Sequence, residues 1–168
     1  MGILIPGVII FALDYFDNRI TDREDIESNT QVPVLGTIGH NVAETNLPVF
    51  DKPRAPMAEN FRRIRTNLQY LIRKDDEKTI MITSTIAGEG KTFAAMNLAT
   101  IMAMSGKKVL LAGLDLRRPN LHRHFDVSNK AGISTYLIGN SSFEDSIHET
   151  RVDNLFLAPS GPVPPNPA

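Results

Sequence analysis

The stretch Thr79-Ile-Met-Ile-Thr-Ser-Thr-Ile-Ala-Gly-Glu-Gly-Lys91-Thr92 decides how this chain reads. Its first half is apolar and β-branched, which predicts a buried strand. Gly88 and Gly90 then mark a turn, and a helix opens on Lys91 and Thr92. Strand, loop and helix in that order converge several backbone N–H groups and the positive end of a helix dipole on one anion. A full phosphate-loop pattern asks for glycine, four residues, then Gly-Lys-Ser/Thr. Gly90-Lys91-Thr92 supplies the end of it, and Thr85 stands where the first glycine belongs. In such a loop the Lys91 ammonium would neutralise phosphate oxygens and the Thr92 hydroxyl would bind Mg²⁺. The candidate nucleotide-binding residues are Ala87, Gly88, Glu89, Gly90, Lys91, Thr92 and Phe93. The competing account is a glycine turn that carries an exposed lysine.

Downstream, residues 93–105 form a helix rich in alanine and methionine, apolar nearly all round and stopped by Gly106. Such a helix needs cover on several sides. Residues 107–115 read as a second buried strand, so the unit predicts a parallel, right-handed crossover. Asp115 ends that strand, where its carboxylate would reach the loop as a metal ligand or would cap the basic turn that follows. Arg117 and Arg118 in that turn suit phosphate oxygens, a partner subunit or plain solvent. His122 and His124 lack a third companion, so the spacing argues against zinc. Two short helices are expected over 132–139 and 142–149, the second capped by Ser142, then a strand over 154–158 and a proline-rich tail.

Upstream, residues 57–73 give the clearest amphipathic helix, with Phe61, Ile64, Leu68 and Leu71 on one face. Glu59, Arg62 and Arg65 form a second row, which periodicity alone reads as a solvated face with an intrahelical ion pair. Residues 41–56 hold three prolines and read as a linker or surface loop. Residues 32–39 suggest a short edge strand that tolerates Pro33, and Thr21-Asp-Arg-Glu24 suggests a capping box opening a short helix. The first 13 residues carry no charge. As a helix they would span about 20 Å against a hydrocarbon core of about 30 Å, so they read as a buried segment or as part of a membrane helix.

Cysteine is absent from the 168 residues, which excludes disulfide frameworks, thiolate metal sites and cysteine nucleophiles. Lysine and arginine number 18 against 19 acidic residues, and a net charge of −1 gives no electrostatic reason to expect nucleic acid.

Several segments together resemble the bacterial protein-tyrosine kinases, the cytoplasmic kinase domains attached to polysaccharide co-polymerases. Residues 83–92 look like their Walker A motif, 109–119 like Walker A′, 161–167 like a downstream loop, 33–38 like the segment after the second transmembrane helix, and Glu59-x-x-Arg62-x-x-Arg65 like the oligomerisation motif. The resemblance implies an α/β, P-loop NTPase-like three-layer sandwich with a mostly parallel sheet, incomplete at the C-terminus. It further implies the end of a transmembrane helix over 1–20, a juxtamembrane linker over 21–56 and the N-terminal part of the kinase domain over 57–168. ATP and Mg²⁺ are the implied cofactors, Lys91 and Asp115 the implied catalytic residues, and Thr92 with Asp115 the metal ligands. The implied activity is tyrosine autophosphorylation in trans at the inner membrane, with a neighbouring subunit as substrate and capsule or exopolysaccharide export proteins as partners.

Three departures stand out. Gly113 occupies the place of the first Walker A′ aspartate, to which the resemblance assigns activation of the tyrosine hydroxyl. No Walker B strand follows, and Tyr15, Tyr70 and Tyr136 do not form the family's tyrosine cluster. These keep two other readings open: a non-catalytic nucleotide-binding or oligomerisation module, and a deviant-Walker partitioning-type ATPase. The latter carries a second lysine where this chain has Ile86.

Overall fold

A computed structural model describes residues 6–8, 11, 12, 16, 20, 22–42, 44–72 and 78–164. The chain forms two compact units, 1–35 and 36–168. Most of the apolar start lies outside the described residues, and among those described no helix is long and apolar enough to cross a membrane.

In the first unit, helix α1 spans Arg23–Asn29 with Asp22 as its N-cap. The Asp22 N–H donates to Asp25 Oδ2 at 3.0 Å, and Arg23 pairs with Glu27 one turn on at 2.6 Å. The helix start therefore sits one residue later than the Thr21–Glu24 box predicted. Aspartate caps as well as threonine, and Asp25 reaches back from the N3 position. Thr21 lies outside the described residues.

The second unit contains α2 (Pro48–Asp51), α3 (Pro56–Leu71), α4 (Lys91–Ala103), β1 (Val109–Ala112), α5 (Leu121–His124), α6 (Ile133–Leu137), a 3₁₀ turn (Glu144–Ser146), β2 (His148–Glu149) and β3 (Leu155–Ala158). The sheet runs β1-β3-β2. β1 and β3 pair in parallel from Val109 opposite Leu155 to Ala112 opposite Ala158, and β2 pairs antiparallel to β3. The ladder continues past β1, where the Gly113 N–H donates to the Ala158 carbonyl at 2.8 Å.

Helix α4 contributes to two apolar clusters. Met96, Ala99 and Ala103 pack with Leu47, Leu121, Phe125, Val152, Leu155 and Leu157. Ile101 packs with Val49, Ala58 and Phe61. Cover on both sides explains why this helix lacks a polar face. The turn that follows its end at Ala103 closes on Gly106, whose φ of 86° suits a residue without Cβ.

Several expectations change. Residues 41–56 are no surface loop throughout: Leu47, Pro48 and Val49 are buried, and Pro48 opens the one-turn helix α2. On α3, Ala58, Phe61, Ile64 and Leu68 are buried as the periodicity predicts, but Leu71 is 54% exposed in the last turn. Residues 32–39 carry no strand pairing, because Pro33 offers no N–H and no neighbouring edge lies beside them among the described residues.

The apolar run before the loop also departs from its predicted form. Residues 78–84 are outside the sheet, and Met81 is 82% exposed. A parallel strand is held by neighbours rather than by its own propensity. Here a groove of about 680 Å³, lined by Ile80, Ile82, Leu98, Met102 and Leu110 among others, separates this run from β1. Among the described residues, no strand pairs with that edge of β1.

Candidate functional site

The loop is built by two glycines. Gly88 has φ 96° and Gly90 φ 89°, left-handed conformations that side chains resist, and a Cβ at either would meet open space. Conformation rather than crowding therefore requires glycine at both. Gly90 is the N-cap of α4, and its carbonyl accepts from the Ala94 N–H at 2.8 Å. Lys91 and Thr92 are the first two residues of the helix, where backbone N–H groups have no intrahelical acceptor and the dipole is positive.

The fold brings Lys91 to Asp115. Lys91 Nζ lies 3.9 Å from Asp115 Oδ2, with the two side chains 39% and 46% exposed. At that exposure the pair contributes little to stability. Its content is positional: the C-terminal end of β1 delivers a carboxylate to the start of α4. Asp115 also accepts the Arg118 N–H on Oδ1 at 3.0 Å, so one carboxylate both caps the basic turn and faces the lysine. The two readings of Asp115 are therefore compatible. Arg117 and Arg118 are exposed in the same turn.

Glu89 has a more specific place in the loop than its spacing predicts. Its Oε2 accepts from the backbone N–H of Thr85 at 3.0 Å and of Ile86 at 3.2 Å. Phe93 turns inward, with its ring 6.1 Å from that of Phe61 on α3. Any part it plays at the loop would be through its backbone.

Asn97 escaped the sequence reading. It is fully buried, its Oδ1 accepts from the Val49 N–H at 3.3 Å, and its Nδ2 donates to the Asn46 and Phe93 carbonyls, each at 2.9 Å. This side chain seats the helix that carries Lys91 against residues 46–49. An asparagine within an otherwise apolar helix was the available signal.

At Gly113 a Cβ would stand 2.9 Å from Ser160 Oγ and 3.2 Å from Ser160 N. The segment after β3 fills that space. It is stitched down by the Asn129 side chain, which accepts from the Gly161 N–H and donates to the Gly161 carbonyl, and by Ser134 Oγ donating to the Pro162 carbonyl at 2.8 Å.

On α5, burial pushes the His122 imidazole below its ordinary pKa and the Arg123 charge adds to this. Burial likewise lowers His124, with His122 contributing. His124 Nδ1 lies 3.3 Å from Asn46 Nδ2. Among the described residues no group of three or more His, Asp or Glu could hold a metal by itself. A carboxylate and a hydroxyl at a phosphate loop nevertheless fit Mg²⁺, a hard cation that takes one or two protein oxygens and completes its shell with water and phosphate.

Residues 77–162 match the AAA domain family. The chain is 39% identical over 125 residues to the tyrosine-protein kinase YwqD of Bacillus subtilis, covering 74% of this chain and 53% of that protein. It is 35% identical over 167 residues to the tyrosine-protein kinase etk of Escherichia coli, covering 96% of this chain and 22% of etk. The chain thus spans about half the length of the first relative and less of the second. Among solved structures, the chimerical protein CapA2B2 superimposes with a TM-score of 0.78 at 38% identity, over 87% of this chain and 63% of that one. The kinase domain of Escherichia coli ETK also gives 0.78, at 30% identity, over 87% and 61%. These likenesses fix a mixed α/β, P-loop NTPase-like fold. The chain belongs to the AAA domain family, and the relatives it shares that fold with are bacterial tyrosine-protein kinases.

Proposed function

We propose that this chain is the ATP-binding part of a membrane-associated bacterial tyrosine autokinase that regulates capsule or exopolysaccharide synthesis and export. The observation that carries the reading is the approach of Lys91 to Asp115, at 3.9 Å, beside the left-handed Gly88 and Gly90. Backbone N–H groups over 87–93 donate to the phosphates, and Lys91 leaves Asp115 to neutralise the terminal phosphate oxygens. Thr92 and Asp115 would hold Mg²⁺, which when bound would supply charge neutralisation for the phosphate oxygens. Arg118, held by its N–H to Asp115, keeps that carboxylate aimed at the loop.

In the assembled protein, residues 57–168, with the buried stretch 47–49 packed into their core, belong to a three-layer sandwich with a mostly parallel sheet, the rest of 21–56 links it to the membrane, and 1–20 end a transmembrane helix in the inner membrane. The kinase part faces the cytoplasm. Glu59, Arg62 and Arg65 contact the next copy, whose tyrosines are the substrate, and the polysaccharide polymerase and export proteins are the further partners. Nucleic acid has no part in this scheme. Support comes from the relatives' names and from the motif spacing.

Calorimetric titration of the chain with Mg²⁺ and ATP tests the binding, with Lys91→Met as the control. Saturable binding abolished by the substitution is expected, and no binding by the wild type would sink the proposal. A second reading, a nucleotide-binding module without phosphoryl transfer, is favoured by Gly113, where Ser160 crowds the place a Cβ would take and so leaves little room for a carboxylate side chain. Phosphotyrosine blotting of the natural protein against its Lys91→Met variant separates the two, since the module gives no signal in either.

A further inference from the structure

A carboxylate inside a loop that receives phosphate is electrostatically costly, yet Glu89 sits between the two glycines of this one. Its side chain is not left to face the anion. Oε2 is tied to two consecutive backbone N–H groups, Thr85 at 3.0 Å and Ile86 at 3.2 Å, four and three residues back along the chain. Two successive N–H groups converging on one anionic oxygen form a nest, and hydrogen bonds to an ionised acceptor are the strong ones. Gly88, at φ 96°, provides the reversal that lets residue 89 reach residue 85. Ser84 Oγ adds a second stitch, donating to the Ile86 carbonyl at 3.2 Å.

We propose that Glu89 is a positioning residue that clasps the phosphate loop shut at its base, through the N–H groups of Thr85 and Ile86. The inference rests on the nucleotide reading above and deepens it. The clasp does two things. It fixes the entry of the loop at Thr85, the place where the phosphate-loop pattern has glycine. It also draws the Glu89 charge back toward the base of the loop, leaving the backbone of 88–92 to meet the ligand. Lys91 is not needed for this, since its ammonium lies toward Asp115.

The test compares wild type, Glu89→Gln and Glu89→Ala. Glutamine keeps an acceptor oxygen and removes the charge, and alanine removes both, so the two variants differ by the clasp at equal charge. Hydrogen exchange of the Thr85 and Ile86 amides, followed by NMR without nucleotide, reads the clasp directly. Protection is expected in wild type, in part in Glu89→Gln, and lost in Glu89→Ala while the amides of Thr100 to Ala103 in α4 stay protected. In calorimetry with Mg²⁺ and ADP, Glu89→Ala is expected to bind about tenfold more weakly than Glu89→Gln, the scale of losing one or two neutral hydrogen bonds. Thr85 and Ile86 amides exchanging equally in wild type and Glu89→Ala overturn the clasp. Equal ADP affinity of the two variants overturns its positioning role. If wild type binds no ADP, the nucleotide reading falls and the amide exchange alone decides the clasp.

Discussion

Asn97 shows how much one side chain can hold in this fold. Three of its polar contacts are spent on the backbone of residues 46, 49 and 93, in a place water does not reach. Replacing it with alanine leaves the buried Val49 N–H and the Asn46 carbonyl unpaired, a loss of about 2–3 kcal/mol. A urea denaturation curve with a lower midpoint and unchanged slope checks this, and an unchanged midpoint would contradict it. Sequence reading found Lys91, Asp115 and the glycines because their chemistry is local and their spacing is tight. It missed Asn97 and the Glu89 carboxylate, because what each does depends on partners that only folding or loop closure supplies. Leu47 and Val49 were misjudged for a related reason. Three prolines disguised a stretch whose apolar side chains belong to the core.

At the scale of elements, α3 and α5 carry separate consequences. The Glu59–Arg62 pair on α3 is 3.0 Å long and solvent-facing, and Arg62 Nη2 also donates to the Pro53 carbonyl at 2.7 Å. Changing Glu59, Arg62 and Arg65 together to alanine is expected to cost the monomer about 1–3 kcal/mol, little of it from the ion pair and most from the Arg62 bond to Pro53. The same change is expected to lower oligomer mass in light scattering, and an unaltered mass would return the row to a solvated face. On α5, His122 and His124 titrate below the ordinary imidazole pKa, so near and below that value the unfolded chain holds more protons than the folded one. Their contribution is complete above the ordinary value and is lost as pH falls toward the lowered ones. Melting is expected at lower temperature at about pH 5 than at about pH 7.5, with the gap narrowed in the His122→Gln, His124→Gln double variant. An equal gap in that variant would show that other groups set the acid limit.

Strand β3 and the helical character of 56–71 and 91–103 were legible because their patterns are carried within one element. The run over 79–83 was misread as a strand for the opposite reason: its apolar residues signal what would bury them, and nothing in those residues says whether a neighbour is present.

At the scale of the whole molecule, the sheet has β3 at its centre and, among the described residues, β1 and β2 as its two edges. β3 is paired on both edges, whereas β1 presents its far edge to the groove with Leu110 43% exposed. Open, apolar edges recruit other strands. Concentration-dependent association is therefore expected in light scattering above the micromolar range, reduced in Leu110→Lys without loss of helical circular dichroism. Association unaffected by that charge would place the contact elsewhere.

The parallel register of β1 and β3 sets a clock as well as a shape. Val109 lies opposite Leu155, so the intervening chain must come full circle before the first ladder bond forms. Closing a loop of that length costs about 3 kcal/mol of chain entropy, incurred before any pairing repays it. The helices and the β2–β3 hairpin can form from neighbours in the chain, but the β1–β3 pairing cannot. Stopped-flow refolding is expected to show circular dichroism of helix recovering first, and the burial of the β1–β3 core arriving as the later phase.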